Sequence, residues 1–187
     1  MKLLLIVLFN SILLSASTNS FHHSKDPDGS LKIVIIRHGE KPSVGDNLCP
    51  KGLNRAMLLP PVLHKVAGIP AHIFIPRINT GKSTGSIRML QTVTPFAVEY
   101  NLTINSSFDK MDVKAAAKEI LKKSGTVLVV WEHSNIPDLA KALGVKGNLK
   151  WKDDDFGSIW IIEFKNNSSA PGMRIEQENL DPKGSCN

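Results

Sequence analysis

Apolar runs and apolar periodicities divide this chain into distinct segments. Ile33 to Ile36 are four consecutive β-branched apolar residues, and Thr126 to Trp131 read TVLVVW. Runs of this kind, without polar alternation, predict strands covered on both faces, as in a parallel sheet between helices. His72 to Pro76 (HIFIP) and Ser158 to Phe164 predict two further strands. Helical spacing recurs in three places: Leu53, Ala56, Met57 and Leu63; Ile87, Leu90, Thr94 and Ala97; and Val113, Ala116, Ala117, Ile120 and Leu121. The helices predicted from these patterns begin near Leu53, run from about Thr84 to Tyr100, and cover 112–123. A short fourth helix is predicted from Pro137 to Leu143. Pro60 and Pro61 fall inside the first, where the missing N–H groups and the ring clash predict a kink, or a stop and restart. Residues 41–52 and 77–86, rich in Gly, Pro, Asn, Ser and Thr, predict loops, and 101–108 a loop with room for a short strand.

The resulting order is strand, helix, strand, helix, helix, strand, helix, strand. Such alternation predicts an α/β domain: a three-layer α/β/α sandwich around a mostly parallel sheet. A length of 187 residues fits one domain with a sizeable core. The expected organisation is a signal peptide at 1–20, a linker at 21–30, the folded domain at 31–165 and a polar C-terminal tail at 166–187. Lys2, the apolar stretch from Leu3 to Leu14 and the small residues Ser15 to Thr18 carry the first of these expectations. That stretch is short for a bilayer span, so no stable membrane insertion is expected after cleavage. The expected location is secreted or periplasmic.

The formal net charge is +6, from scattered lysines. No basic stripe with interleaved aromatics is present, so nucleic acid is not an expected partner. A modest positive field suits an anionic substrate. Cys49 and Cys186 could pair in an oxidising compartment or stand as independent thiols; neither has metal-ligand spacing to a histidine.

Two apolar strands end alike. IVII runs into Arg37-His38-Gly39-Glu40, and VLVVW runs into Glu132-His133-Ser134. Ligands of open α/β sheets bind beyond the carboxyl ends of the strands. If these two strands are neighbours, both imidazoles reach one pocket.

Arg-His-Gly after a buried strand resembles the histidine phosphatase superfamily, also called phosphoglycerate mutase-like. IVIIRHGEKP at 33–42, NLCPKGLNRA at 47–56, IRMLQTVTPFA at 87–97 and VLVVWEHSNI at 127–136 carry the resemblance, in the family's order. It implies a phosphoglycerate mutase-like fold and a phosphorylated nucleophile at His38. It further implies phosphate-binding arginines at Arg37 and Arg88, and a second pocket histidine at His133. A small phosphorylated substrate is the implied partner, with no cofactor. The chemistry of the residues agrees. Neutral imidazole is a competent nucleophile near pH 7. The planar fork of arginine matches phosphate oxygens. Gly39 would let the backbone approach the phosphate closely. The motif lacks a carboxylate cluster of the magnesium-holding sort, so no metal is expected. No oligomeric state is assigned.

A leaving alkoxide needs a proton. Asp109 is the preferred donor from the sequence and Glu40, adjoining the nucleophile, the alternative. Strand alternation would turn Glu132 away. Arg55 is expected at the surface or behind the site. The implied activity is phosphomonoester hydrolysis through phospho-His38; a non-catalytic phosphoryl-ligand binder and a phosphomutase are the competing readings.

Overall fold

The structure, a computed structural model, describes residues 30–81, 83–164 and 170–187. The expected leader at 1–20 and the linker up to residue 29 lie outside the described residues. Ten elements follow in order: β1 (Leu31–Arg37), α1 (Pro50–Ala67), β2 (His72–Pro76), α2 (Ile87–Glu99), β3 (Ile104–Phe108), α3 (Val113–Ile120), β4 (Gly125–Trp131), α4 (Ile136–Ala142), β5 (Ser158–Phe164) and β6 (Gly172–Gln177). The six strands form one sheet in the order β3-β2-β4-β1-β5-β6. β3, β2, β4 and β1 run parallel, whereas β5 and β6 are antiparallel to their neighbours.

The central strands lack polar alternation because both faces are covered. Ile33 and Ile35 of β1 pack with Val127, Val129 and Trp131 against Ala116, Ile120, Ile136 and Leu139 of α3 and α4. Val34 and Ile36 point the other way, with Leu128 and Val130, onto Leu59 and Leu63 of α1 and Val93 and Phe96 of α2. Alternate side chains of one strand thus build two cores, and the layers are α/β/α.

Two differences from the sequence reading, in α1 and in the tail, have physical causes. α1 starts at Pro50, with Cys49 as its N-cap, and runs unbroken through Pro60 and Pro61. Pro50 in the first turn needs no N–H donor. Further along, the fully buried Ala56, Leu59 and Leu63 flank the proline pair, so packing overrides the local penalty. The expected tail contains β6, which pairs along β5; its polar composition reflects an edge strand with mostly exposed side chains. Cys49 and Cys186 form a disulfide across 137 residues of chain. Among the described residues no helix is long and apolar enough to cross a membrane.

Candidate active site

β1 and β4 are parallel neighbours in register, with Arg37 opposite Trp131, so His38 and the Glu132-His133 pair leave the sheet at one edge. The chain departs from β1 into α1 on one face and from β4 into α4 on the other. Connections diverging from adjacent parallel strands open a crevice at their carboxyl ends.

His38 is buried in that crevice, 3% exposed, and its Nδ1 lies 2.7 Å from the carbonyl oxygen of Gly39. A carbonyl only accepts, so Nδ1 carries the proton and Nε2 keeps its lone pair. Burial pulls the imidazole down to about 4; the Arg37 and Arg88 charges act in the same direction, while the Gly39 bond and Glu132 oppose it. His38 is therefore neutral at neutral pH, with its free nitrogen fixed by a backbone contact.

Arg37 is 2% exposed, and its hydrogen bonds go to neutral groups. Its Nη1 donates to the carbonyl oxygens of Asp153 (2.8 Å) and Asp155 (3.0 Å). Its Nη2 donates to Nδ1 of His133 (3.2 Å). The Phe156 ring lies under the guanidinium, 3.7 Å from Cζ to the ring centroid, a cation–π contact. Nε is buried and has no hydrogen-bond partner among the described residues. Burial lowers Arg37 to about 10, against the pull of Asp155 and Asp153, so it remains cationic. The 153–156 loop thus holds the guanidinium by neutral groups and leaves its charge available.

His133 accepts from Arg37 at Nδ1, which places its proton on Nε2, 3.3 Å from the exposed carboxylate of Asp153. Burial and the Arg37 charge keep this imidazole below its ordinary pKa, against Asp153 and Glu132. Arg88, in the first turn of α2, donates from Nη1 to the Gly45 carbonyl (3.3 Å), and its charge reaches His38. Four residues on, Thr92 Oγ1 accepts the Gly39 N–H (2.9 Å) and donates to the Arg88 carbonyl (2.8 Å). Gln91 accepts the Leu48 N–H (2.9 Å) and donates to Asn47 (2.7 Å). The Arg-x-x-Gln-Thr motif therefore has one arm whose charge reaches His38 and two that hold the turns around it.

No family model matches the chain, and no curated protein matches its sequence. Solved structures do. The protein histidine phosphatase SixA, complexed with tungstate, superposes with a TM-score of 0.57 over 79% of this chain and 97% of its own, at 14% identity. A mycobacterial glucosyl-3-phosphoglycerate phosphatase, in complex with inorganic phosphate, does so with 0.54 over 80% and 97%, at 13% identity. The chain has the histidine phosphatase fold.

Within this fold the structure brings Arg37, His38 and His133 together, with the Arg88 charge beside them. The other expectations change. Gly39 spends both backbone groups locally, its N–H on Thr92 and its carbonyl on His38. Its missing side chain serves packing: a Cβ there would lie 2.8 Å from the Gly52 carbonyl oxygen, and one on Gly52 only 2.1 Å from that of Glu40. Gly39 thus lets the β1 end pack closely against the start of α1. Glu40 is engaged away from His38, by Arg55. Burial would raise its pKa, but two hydrogen bonds from Arg55 outweigh that and hold it below the ordinary value. Asp109 uses its carboxylate on the N–H of Met111, within its own turn. Glu132 is not turned away: it is half-buried, pairs with Lys110 at 2.9 Å, and its charge acts on both histidines.

Of the two places that the sequence left open for Arg55, the surface or behind the site, the structure takes the second, buried between Glu40 and Glu178; sequence reasoning missed the Asp153–Phe156 loop around Arg37. The loop carries a weak signal, three aspartates followed by an aromatic just before β5. Arg55 carries none, because its second partner lies 123 residues away.

Proposed function

We propose that the protein is a phosphatase that hydrolyses a phosphomonoester through a phosphohistidine on His38. One observation carries this reading: a neutral imidazole with its free Nε2 fixed by the Gly39 carbonyl, beside a buried guanidinium held by backbone carbonyls and a histidine nitrogen. In the first step Nε2 attacks phosphorus and the bond to the leaving oxygen breaks. The imidazolium that forms keeps its Nδ1 proton on the Gly39 carbonyl. Arg37 and Arg88 supply the fixed positive charge that the equatorial oxygens need. His133, oriented by Arg37 and Asp153, donates a further hydrogen bond after a modest ring shift. In the second step water attacks the phosphohistidine and inorganic phosphate leaves.

Glu132 takes the role of proton donor in place of Asp109. Its charge acts on His38 and its ion pair with Lys110 is open to solvent, whereas Glu40 is buried and held by two bonds from Arg55. The structural neighbours that hold tungstate and inorganic phosphate support an oxyanion in this crevice. Reaction without a metal is part of the proposal, as is export: the 1–20 leader pattern and the Cys49–Cys186 pairing both suit an oxidising compartment.

The test is turnover of p-nitrophenyl phosphate by purified mature protein in EDTA, beside His38→Ala. Turnover lost in His38→Ala, with a trapped phosphohistidine in the wild type, is expected. Phosphate or vanadate binding without turnover would favour the non-catalytic binder, and activity surviving in His38→Ala would remove the nucleophile. The N-terminal sequence of protein recovered outside the cytoplasm tests export; an uncleaved Met1 in that fraction would count against the leader.

A further inference from the structure

Two features lie outside the chemistry above: the buried Glu40–Arg55–Glu178 chain and the Cys49–Cys186 disulfide. They form one continuous path. The Cys49 N–H donates to the Glu40 carbonyl oxygen (3.0 Å), where the nucleophile turn meets α1. The Glu40 carboxylate receives two bonds from Arg55 (2.9 and 2.8 Å), and Arg55 Nη1 donates to Glu178 (2.5 Å). The Glu178 N–H donates to the Gly157 carbonyl (2.8 Å), at the end of the loop that grips Arg37. The chain then returns along α1. The Lys183 N–H donates to Asn54 Oδ1 (2.7 Å), a Cβ on Gly184 would lie 2.9 Å from the Lys51 nitrogen, and Cys186 closes on Cys49. Residues 178–186 therefore hold the two halves of the crevice at once, the turn carrying His38 and the loop carrying the Arg37 carbonyls.

The arrangement is costly as pure stabilisation. One guanidinium serves two buried carboxylates, and Glu178 Oε1 has no hydrogen-bond partner among the described residues. Burial pushes this carboxyl up to about 7, with Glu40 and Asp155 adding to it and Arg55 opposing. Buried ionic groups are weak sources of net stability, though removing one partner is strongly destabilising. What the path does supply is a fixed distance between two loops from opposite ends of the chain. We propose that Arg55 and Glu178 are positioning residues for the His38 reaction, and that the Cys49–Cys186 bond keeps them in place, so that turnover depends on the disulfide. The inference rests on the phosphatase reading. Its reasoning is geometric: a displacement of about 1 Å between nucleophile and phosphate clamp can cost on the order of 100-fold in rate.

The experiment compares the oxidised mature chain with the same protein reduced by dithiothreitol and reoxidised, with Cys186→Ser, Arg55→Lys and Glu178→Gln. For each, kcat and KM for p-nitrophenyl phosphate, the pH profile, the vanadate dissociation constant and circular dichroism are measured below the melting temperature. Reduction and Cys186→Ser are expected to lower kcat roughly tenfold with KM nearly unchanged and the fold retained, and reoxidation to restore it. Arg55→Lys, which keeps the charge but not the fork, should fall similarly. Glu178→Gln, which keeps the shape, should retain most of the rate but lose any pH dependence near 7. Reduced protein that is folded and fully active would overturn the disulfide's role, and Glu178→Gln with an unaltered pH profile would overturn that of Glu178. If Cys186→Ser does not fold, reduced wild type decides. If the wild type shows no His38-dependent turnover, the phosphatase reading fails by itself. Vanadate affinity then decides the positioning: roughly tenfold weaker binding after reduction sustains it, and equal binding rejects it.

Discussion

Arg37 and Arg55 are both buried, 2% and 7% exposed, one at the end of β1 and the other in α1. Their surroundings are opposite. Arg37 is held by two backbone carbonyls, a histidine nitrogen and an aromatic face, with Nε unmet among the described residues. Arg55 is held by two carboxylates, which outweigh burial and raise its pKa. Neutral partners immobilise a guanidinium without cancelling its charge; carboxylates immobilise it and cancel the charge. The first arrangement keeps an uncompensated charge at the strand ends, and the second does not. Burial alone does not mark a functional arginine. The charge of its partners does.

The comparison can be broken by mutation. Arg55→Ala strands two buried carboxylates and should cost about 3–5 kcal/mol of unfolding free energy, read as a lower denaturant midpoint. Little change in that midpoint would mean that Glu40 and Glu178 reach solvent. Arg37→Ala should cost roughly 3–4 kcal/mol of transition-state stabilisation, seen as a loss of kcat/KM for p-nitrophenyl phosphate, with a smaller effect on the midpoint than Arg55→Ala has. If the two arginines exchanged these phenotypes, the contrast would be wrong. Thr92→Val removes the acceptor for the Gly39 N–H while keeping the volume, and should cost about 1–3 kcal/mol of stability with a parallel drop in kcat.

The smallest effects are in pH dependence. His38 falls from 6.5 to about 4 on folding, so its contribution to stability is present above 6.5 and is lost as pH falls through 4. Glu178 rises from 4.5 to about 7, so its contribution is present below 4.5 and is lost as pH rises through 7. Stability measured against pH should therefore fall on both sides, with the acid limb reduced in His38→Ala and the basic limb in Glu178→Gln. The acid limb of kcat/KM should lie near 4. A limb near the ordinary histidine value would show that His38 is more solvated than this crevice allows.

Much of the fold was legible in the chain. The unalternating runs of β1 and β4 report two-sided burial, and β5 begins and ends where its apolar run does. α1 was legible in type but not in extent, because Pro50 and Gly52 resemble loop residues until a backbone packs against them. β6 was not legible, since an exposed edge strand needs few apolar residues. Of the site, the residues adjoining strand ends could be read, because a strand end fixes both place and direction. Glu132 was misjudged because alternation within β4 does not continue past Trp131, where the strand stops.

By itself the sequence determined the layered α/β architecture and the delivery of His38 and His133 from two apolar strands, since local periodicity and burial set both. Only the tertiary structure decided that those strands are neighbours, that the Arg37 charge is left uncompensated while that of Arg55 is neutralised by two carboxylates, and that Cys49 meets Cys186. These depend on partners from 96 to 137 residues apart, and no local pattern encodes the charge that a distant segment brings to a buried side chain.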